Sequence, residues 1–425
     1  MTFPAVRAKI EATSLLESWS ERLDLLAQQQ GTAAYAFVMG SCAELLAAFE
    51  IPLFLPEINC LQTAISGTAQ GLLQHAEEQG YPSDICNYLK ADVGMHLQGR
   101  QLPNKRLPAP CLAIATTACN TYIKWAEIWQ RLYNMPLFVF DIPGTRNPAH
   151  PSQPGDPAFA ADLAYMTEQV RNLISLCEQI TGRRLDPDRL SHALDCTNRM
   201  SRDFSTMLRL NQQEPACFDA VRQGGAYLGV FNAYRGSEAG VRYFNNALEE
   251  LQQIRQRSLR EPAVEAPFRL LFAGLPCYPL YSQFIRMFST RGGLFVSSTY
   301  LQFASGGGCM GYQYDTARPV ESFAEGLLLT TREAMDSMFL AGDRLFEAQA
   351  ACRADGVVFH GVKSCRTVST GLADARLALQ SRSSIPTLLL ESDMMDRRLI
   401  SPAQMQNRID AFFETLRLRR QAGAP

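Results

Sequence analysis

The chain has 425 residues, 47% hydrophobic and 19% charged, too many for one ordinary core and consistent with a globular protein of two or three domains. A formal net charge of −2, with no basic run and no low-complexity segment, gives no electrostatic reason to expect nucleic acid or an anionic membrane as partner. No apolar run reaches bilayer-spanning length and the first residues lack an apolar h-region, so a cytoplasmic location is expected.

In chain order, residues 13–30 read as an amphipathic helix stopped by Gly31. Apolar runs at 34–40, 51–57, 111–117 and 136–142 read as buried strands, with helical patterns such as CAELLAAFE and YIKWAEIWQRLY between them. That alternation is the mark of a parallel, doubly wound sheet. Residues 143–157, dense in proline and glycine, read as a linker. Helices then dominate to about residue 255, one of them opening at Asp186 as N-cap with Pro187 in the first turn. A second alternating region follows, with strands at 268–274, 292–299, 356–362 and 385–393 and the helix TREAMDSMFLAGDRLFEAQAACR before the third. The expected fold is α/β: two doubly wound parallel-sheet lobes, flavodoxin- or Rossmann-like, linked by a helical segment. The expected division is an N-terminal helical segment (1–31), a first lobe (32–157), a helical connection (158–262) and a second lobe (263–425).

Twelve cysteines in a chain read as cytosolic are core thiols, metal ligands or redox groups rather than a disulfide framework. None forms a C-x-x-C pair, which removes zinc ribbons, ferredoxin-type loops and thioredoxin-like motifs. Any metal site must be assembled from distant segments. Cys177, on an apolar helix face with Leu173, Ile174 and Ile180, reads as core; Cys111 and Cys352 read as packing; Cys42, Cys60, Cys277 and Cys309 border loops and stay unassigned. Two cysteines share one topological position. Cys119 follows strand 111–117, and Cys365 follows strand 356–362; after each come a helix and a proline-led strand, ending at Asp141 in one lobe and at Glu391 and Asp393 in the other. Ligands of open parallel sheets bind beyond the carboxyl ends of the strands, where helix N-termini favour a thiolate. Cys86, after the Ser-Asp signal of YPSDIC and before a helical pattern, joins them as a third candidate.

The segments SDICNYLKADVGM, TTACNTYIKW and GVVFHGVKSCRTVSTG, with IPTLLLESDMMDRRLISPAQMQNRIDAFFE, LPEINCLQTAISG, AYRGSEAG and FVSSTY, resemble the benzoyl-CoA reductase and 2-hydroxyacyl-CoA dehydratase family. Within it they look most like the larger (beta-type), cluster-bearing, substrate-binding subunit of ATP-dependent benzoyl-CoA reductases. The resemblance implies one [4Fe–4S] cluster per chain, held by Cys86, Cys119 and Cys365 with one iron open. It implies low-potential, single-electron reduction of the aromatic ring of an aryl-CoA thioester, in anaerobic aromatic degradation. The implied partners are a homologous, shorter cluster-bearing subunit in a heterodimer and a separate ATP-hydrolysing iron–sulfur activator. No G-x-x-x-x-G-K-[ST] loop exists here, and SGGGC (305–309) lacks its lysine, so the ATPase belongs to another chain. Two departures, a cysteine-free ESFAEGLLLTTREAMDS and AGLPCYPLY in place of a more polar or tryptophan-bearing turn, leave subfamily and substrate open.

Other candidates carry two readings each. Glu57, in a Pro-Glu setting like that of an active-site glutamate in related dehydratases, is a proton-handling group or a helix N-terminal carboxylate. His360 is a proton donor or a satisfied core histidine; Lys124 and Lys363 face the cluster or a CoA phosphate, or are simply solvated. The alternative functions are a 2-hydroxyacyl-CoA dehydratase subunit, a lyase that recycles its electron, and a non-catalytic or double-cluster relative.

Overall fold

The computed structural model describes residues 7–102, 105–145, 152–261, 266–304, 312–334 and 338–423. The expected linker and the helix before the third strand of the second lobe are therefore described in part; Cys309 and the SGGGC run lie outside these residues.

Both expected sheets are present. Strands β1 (Thr32–Ala36), β2 (Leu53–Phe54), β5 (Ala109–Thr116) and β6 (Leu137–Phe140) form one, in the order β2-β1-β5-β6. Strands β7 (Phe268–Gly274), β8 (Gly293–Ser298), β9 (Gly356–Val362) and β10 (Thr387–Ser392) form the other, in the order β10-β9-β7-β8. Every neighbouring pair in both sheets is parallel. In the first sheet the order runs second-first-third-fourth, with its switch point between its first and third strands; in the second it runs fourth-third-first-second, with its switch point between its first and third strands as well. These strands read as solid apolar runs because helices cover both faces: every residue of β7 and β8 is buried. Between β2 and β5 the chain adds a small antiparallel hairpin, β3 (Gln101–Leu102) with β4 (Lys105–Arg106), which the sequence did not announce.

Helices fill the segment between the sheets: Pro157–Thr181, Pro187–Gln212, Gly224–Ala233 and Glu238–Arg260. The second opens as expected, Asp186 accepting from Asp188 N at 3.0 Å and from Arg189 N at 3.4 Å. The N-terminal helix runs from Arg7 to Gln28 and lies on this bundle. The Glu250 carboxylate accepts from Arg7 N and Ala8 N at 2.6 and 2.7 Å, satisfying two otherwise orphaned donors of its first turn. One continuous core runs from the first sheet (Tyr35, Phe37) through the bundle (Phe204, Phe231, Phe244) to the second sheet (Phe272, Phe295), so the lobes are packed as one body. Leu173 and Cys177 belong to a separate cluster beneath the first sheet.

Candidate functional site

A cavity of about 130 Å³ lies where the two sheets meet, and seven of their eight strands reach it through the residues just beyond their carboxyl ends. In the first lobe β1 supplies Val38 and Met39, β2 supplies Glu57 and Ile58, and β5 supplies Cys119. In the second, β7 supplies Leu275, β8 Tyr300, β9 Cys365 and β10 Met394. Gly225, Leu228 and Gly229 of the bundle, with Leu16 of the N-terminal helix, complete a mostly apolar wall.

Cys86, Cys119 and Cys365 all line this cavity, and each stands at the N-cap position of its own helix: Asn87–Leu97, Asn120–Tyr133 and Arg366–Ser369. At Cys86 the sequence signal was displaced: the cap position is the cysteine itself rather than Ser83 or Asp84. None of the three sulfurs caps its helix by a side-chain hydrogen bond; Cys119 Sγ lies 3.3 Å from Thr367 Oγ1 of the other lobe. The expectation that helix N-termini lower the thiol pKa values holds only as a minor effect. Burial, then the neighbouring Cys365, pushes Cys86 up, against the Leu89 backbone N–H. Burial pushes Cys365 up to about 12, against the Val368 N–H, with Cys119 and Asp393 adding to the rise. Bare thiols at Cys86 and Cys365 are therefore protonated, and only a bound cationic group makes several thiolates stable together.

Two buried carboxylates fix the helix that starts at Cys86 against the other two thiols. Asp92 accepts from Trp125 Nε1 and Trp129 Nε1, both at 2.7 Å, joining it to the helix that starts at Cys119. Asp393 accepts from Asn87 Nδ2 at 2.8 Å and from Ser364 N at 3.1 Å, linking the neighbours of Cys86 and Cys365. Asn87 Oδ1 and Ser364 Oγ, buried beside those two cysteines, have no hydrogen-bond partner among the described residues. Neither residue lines the cavity; what fits an inorganic, cationic occupant there is the donor set itself, three convergent sulfurs with no Lys, Arg or His among the lining residues.

Glu57 belongs to the same cavity. It sits in the first turn of helix Pro56–Ser66, its Oε2 accepting from Val38 N and its Oε1 from Tyr122 O–H, each at 2.6 Å. Burial lifts its carboxyl to about 7, against both hydrogen bonds. Tyr122 lies one turn after Cys119 and stacks on Phe37 with ring centroids 3.9 Å apart; the sequence reading missed it, because its role depends on a partner 65 residues away. His360 is not brought to the cavity. It is fully buried in β9, with Nδ1 on the Leu275 carbonyl and Nε2 2.6 Å from Ser392 Oγ, and burial pulls its pKa below the usual imidazole value. Lys124 is exposed and paired with Glu127, and the Lys363 side chain is exposed. Of the remaining cysteines, Cys42, Cys60, Cys177, Cys196, Cys217, Cys277 and Cys352 are buried and Cys111 is half-buried.

One further donor cluster stands apart: His192, Cys196 and Glu238 place their ligand atoms within 4.8 Å of one another. The Glu238 oxygen facing the other two already accepts from Arg199 at 3.0 Å, so that ligand atom is engaged in an ion pair above the buried Cys196.

The family model for 2-hydroxyglutaryl-CoA dehydratase, D-component, matches residues 39–416. The chain belongs to this family. It is 28% identical over 403 residues to a benzoyl-CoA reductase subunit of Thauera aromatica, covering 91% of this chain and 89% of the relative. It is 21% identical over 393 residues to the (R)-phenyllactyl-CoA dehydratase alpha subunit of Clostridium sporogenes, with 90% and 91% covered. It is 22% identical over 416 residues to the (R)-2-hydroxyisocaproyl-CoA dehydratase alpha subunit of Clostridioides difficile, with 94% and 96% covered. These relatives are subunits of enzymes, one a reductase and two dehydratases by name. Among the described residues no helix is long and apolar enough to cross a membrane.

Proposed function

We propose that this member of the family is the iron–sulfur subunit of an ATP-dependent benzoyl-CoA reductase, with Cys86, Cys119 and Cys365 holding one [4Fe–4S] cluster. The observation that carries the reading is the arrival of three thiols, each at a helix N-cap position and from both lobes, at one apolar cavity. When bound, a cluster held by only three cysteines supplies a low-potential electron and one iron without a protein ligand. The chain's own residues supply the surroundings. The wall of Leu16, Val38, Met39, Leu228 and Leu275 keeps water from a reactive, electron-rich acyl group. Glu57, with a carboxyl near 7, holds or releases a proton at Oε1, and Tyr122 O–H bonds that oxygen in its charged state. His360 is left as a strand-locking group.

The reductase is favoured over the dehydratases by the higher identity to a reductase subunit, 28% against 21–23%. A 2-hydroxyacyl-CoA dehydratase subunit is the second reading, supported by the family's description and by those dehydratase relatives. Relatives named as subunits support a partner subunit. That it is a shorter homologue, and that a separate, cytoplasmic ATPase is the electron source, rests on the family resemblance, and this chain has no phosphate loop of its own. The test assays the assembled, anaerobically purified enzyme with benzoyl-CoA and with a 2-hydroxyacyl-CoA. Reductant consumed in proportion to product supports the reductase. Dehydration with only catalytic reductant replaces it by the lyase.

A further inference from the structure

Asp393 is fully buried at the end of β10, and the described residues offer it no ion pair. An isolated carboxylate in such a place is costly unless hydrogen bonds replace its water. Four do. Oδ1 accepts from Asn87 Nδ2 at 2.8 Å, Met395 N at 2.8 Å and Asp396 N at 3.0 Å, and Oδ2 accepts from Ser364 N at 3.1 Å. Two of these donors belong to its own turn. The other two come from the residue after Cys86 and the residue before Cys365, far apart in the chain. Among the described residues no cation pairs with the group, and it stands one hydrogen-bonded residue away from both Cys86 and Cys365.

From this geometry we infer that Asp393 is a positioning residue that fixes Cys86 and Cys365 against each other across the two lobes, and that its unpaired charge lowers the reduction potential of the group they hold. The inference rests on the ligand assignment proposed above. A neutral residue would serve the geometric part of this task, and an Arg-paired carboxylate would serve it without altering the field. A buried anion bonded only by amides does both, because adding an electron beside it is opposed at short range with little screening.

The test compares wild type with Asp393→Asn and Asn87→Ala, each purified without oxygen, for iron content, chelator-induced iron loss and midpoint potential. Asp393→Asn keeps the shape and most of the acceptors but loses the charge and turns an amide toward Ser364 N. It is expected to shift the potential positive and to lose iron about 10-fold faster or more, the usual cost of disturbing groups that orient ligands. Asn87→Ala cuts the bond between Asp393 and the Cys86 side and leaves the charge, so iron loss speeds up while the potential stays. Unchanged potential and unchanged iron loss in Asp393→Asn overturn the inference and leave the ligand assignment standing. Iron-free wild-type protein overturns the ligand assignment and this inference with it. Should Asp393→Asn not fold, the smaller neutral variant Asp393→Ser takes its place for the potential, and a wild-type potential there, or a wild-type rate of iron loss in Asn87→Ala, overturns the inference.

Discussion

Glu57 shows how a single side chain changes meaning once its surroundings are known. Its place in the first turn of a helix suits an ordinary exposed carboxylate, yet it faces the cavity and titrates near 7 because burial outweighs its two hydrogen bonds. The sign of the consequence follows. Between about 4.5 and 7 the folded chain binds the Glu57 proton more tightly than the unfolded chain does, so this residue's contribution to stability falls as pH rises through that window. Glu57→Gln, a neutral mimic, is expected to remove that slope and to be the more stable protein at pH 8; denaturant unfolding at pH 5 and 8 measures it. Tyr122→Phe deletes the donor that lowers the Glu57 pKa, so the inflection moves above 7. An unmoved inflection would show that the Tyr122 hydrogen bond does not set the acidity.

At the scale of elements, the helix Asn87–Leu97 sets where Cys86 stands, and its packing tolerance is small. A Cβ built on Gly94 would lie 2.1 Å from the Leu72 carbonyl oxygen of helix Ala69–Glu78, a backbone atom that cannot turn aside. Gly94→Ala therefore has to push the two helices apart. It is expected to cost roughly 1–3 kcal/mol of stability and to lower iron retention by displacing Cys86, as unfolding curves and iron analysis would show. The strands were legible in the sequence because parallel strands covered on both faces are written as unbroken apolar runs, which local pattern reports. Their ends were less so: the run 51–57 keeps only Leu53–Phe54 as β2, since Pro52 and Pro56 bracket it and a proline offers no N–H to a ladder. The shared position of Cys119 and Cys365 was legible because strand-to-helix junctions recur in order. Tyr122 and Asp92 were not, because each acts through partners tens of residues away and leaves no local period. Asp393 was placed at its strand end, but its bonds to Asn87 and Ser364 were not legible for the same reason.

Across the whole molecule, the segment around Cys86 belongs to the first lobe by sequence and is clamped to the second by polar contacts. Arg398 donates to both Glu77 oxygens at 2.9 and 2.7 Å, and the buried Lys90 reaches the same carboxylate at 2.8 Å and the Ser83 carbonyl at 2.7 Å. Arg366, beside Cys365, lies 3.5 Å from Asp84, two residues before Cys86. Arg398 is the largest cause holding the Glu77 carboxyl down at about 2. That depressed value contributes stability above about 4.5, lost as pH falls toward 2. Arg398→Ala is expected to weaken this acid-side loss and to loosen the seam while Lys90 keeps its partner. Hydrogen exchange at the amides of residues 81–90 should speed up in the variant, and unchanged protection there would remove the seam from the account.

The central claim is that one cluster joins the two lobes through Cys86, Cys119 and Cys365. Iron and acid-labile sulfide in wild type and Cys119→Ser, both purified without oxygen, test it most directly. The account predicts about four irons per wild-type chain and loss of most of them in the variant. A full complement in Cys119→Ser would contradict it.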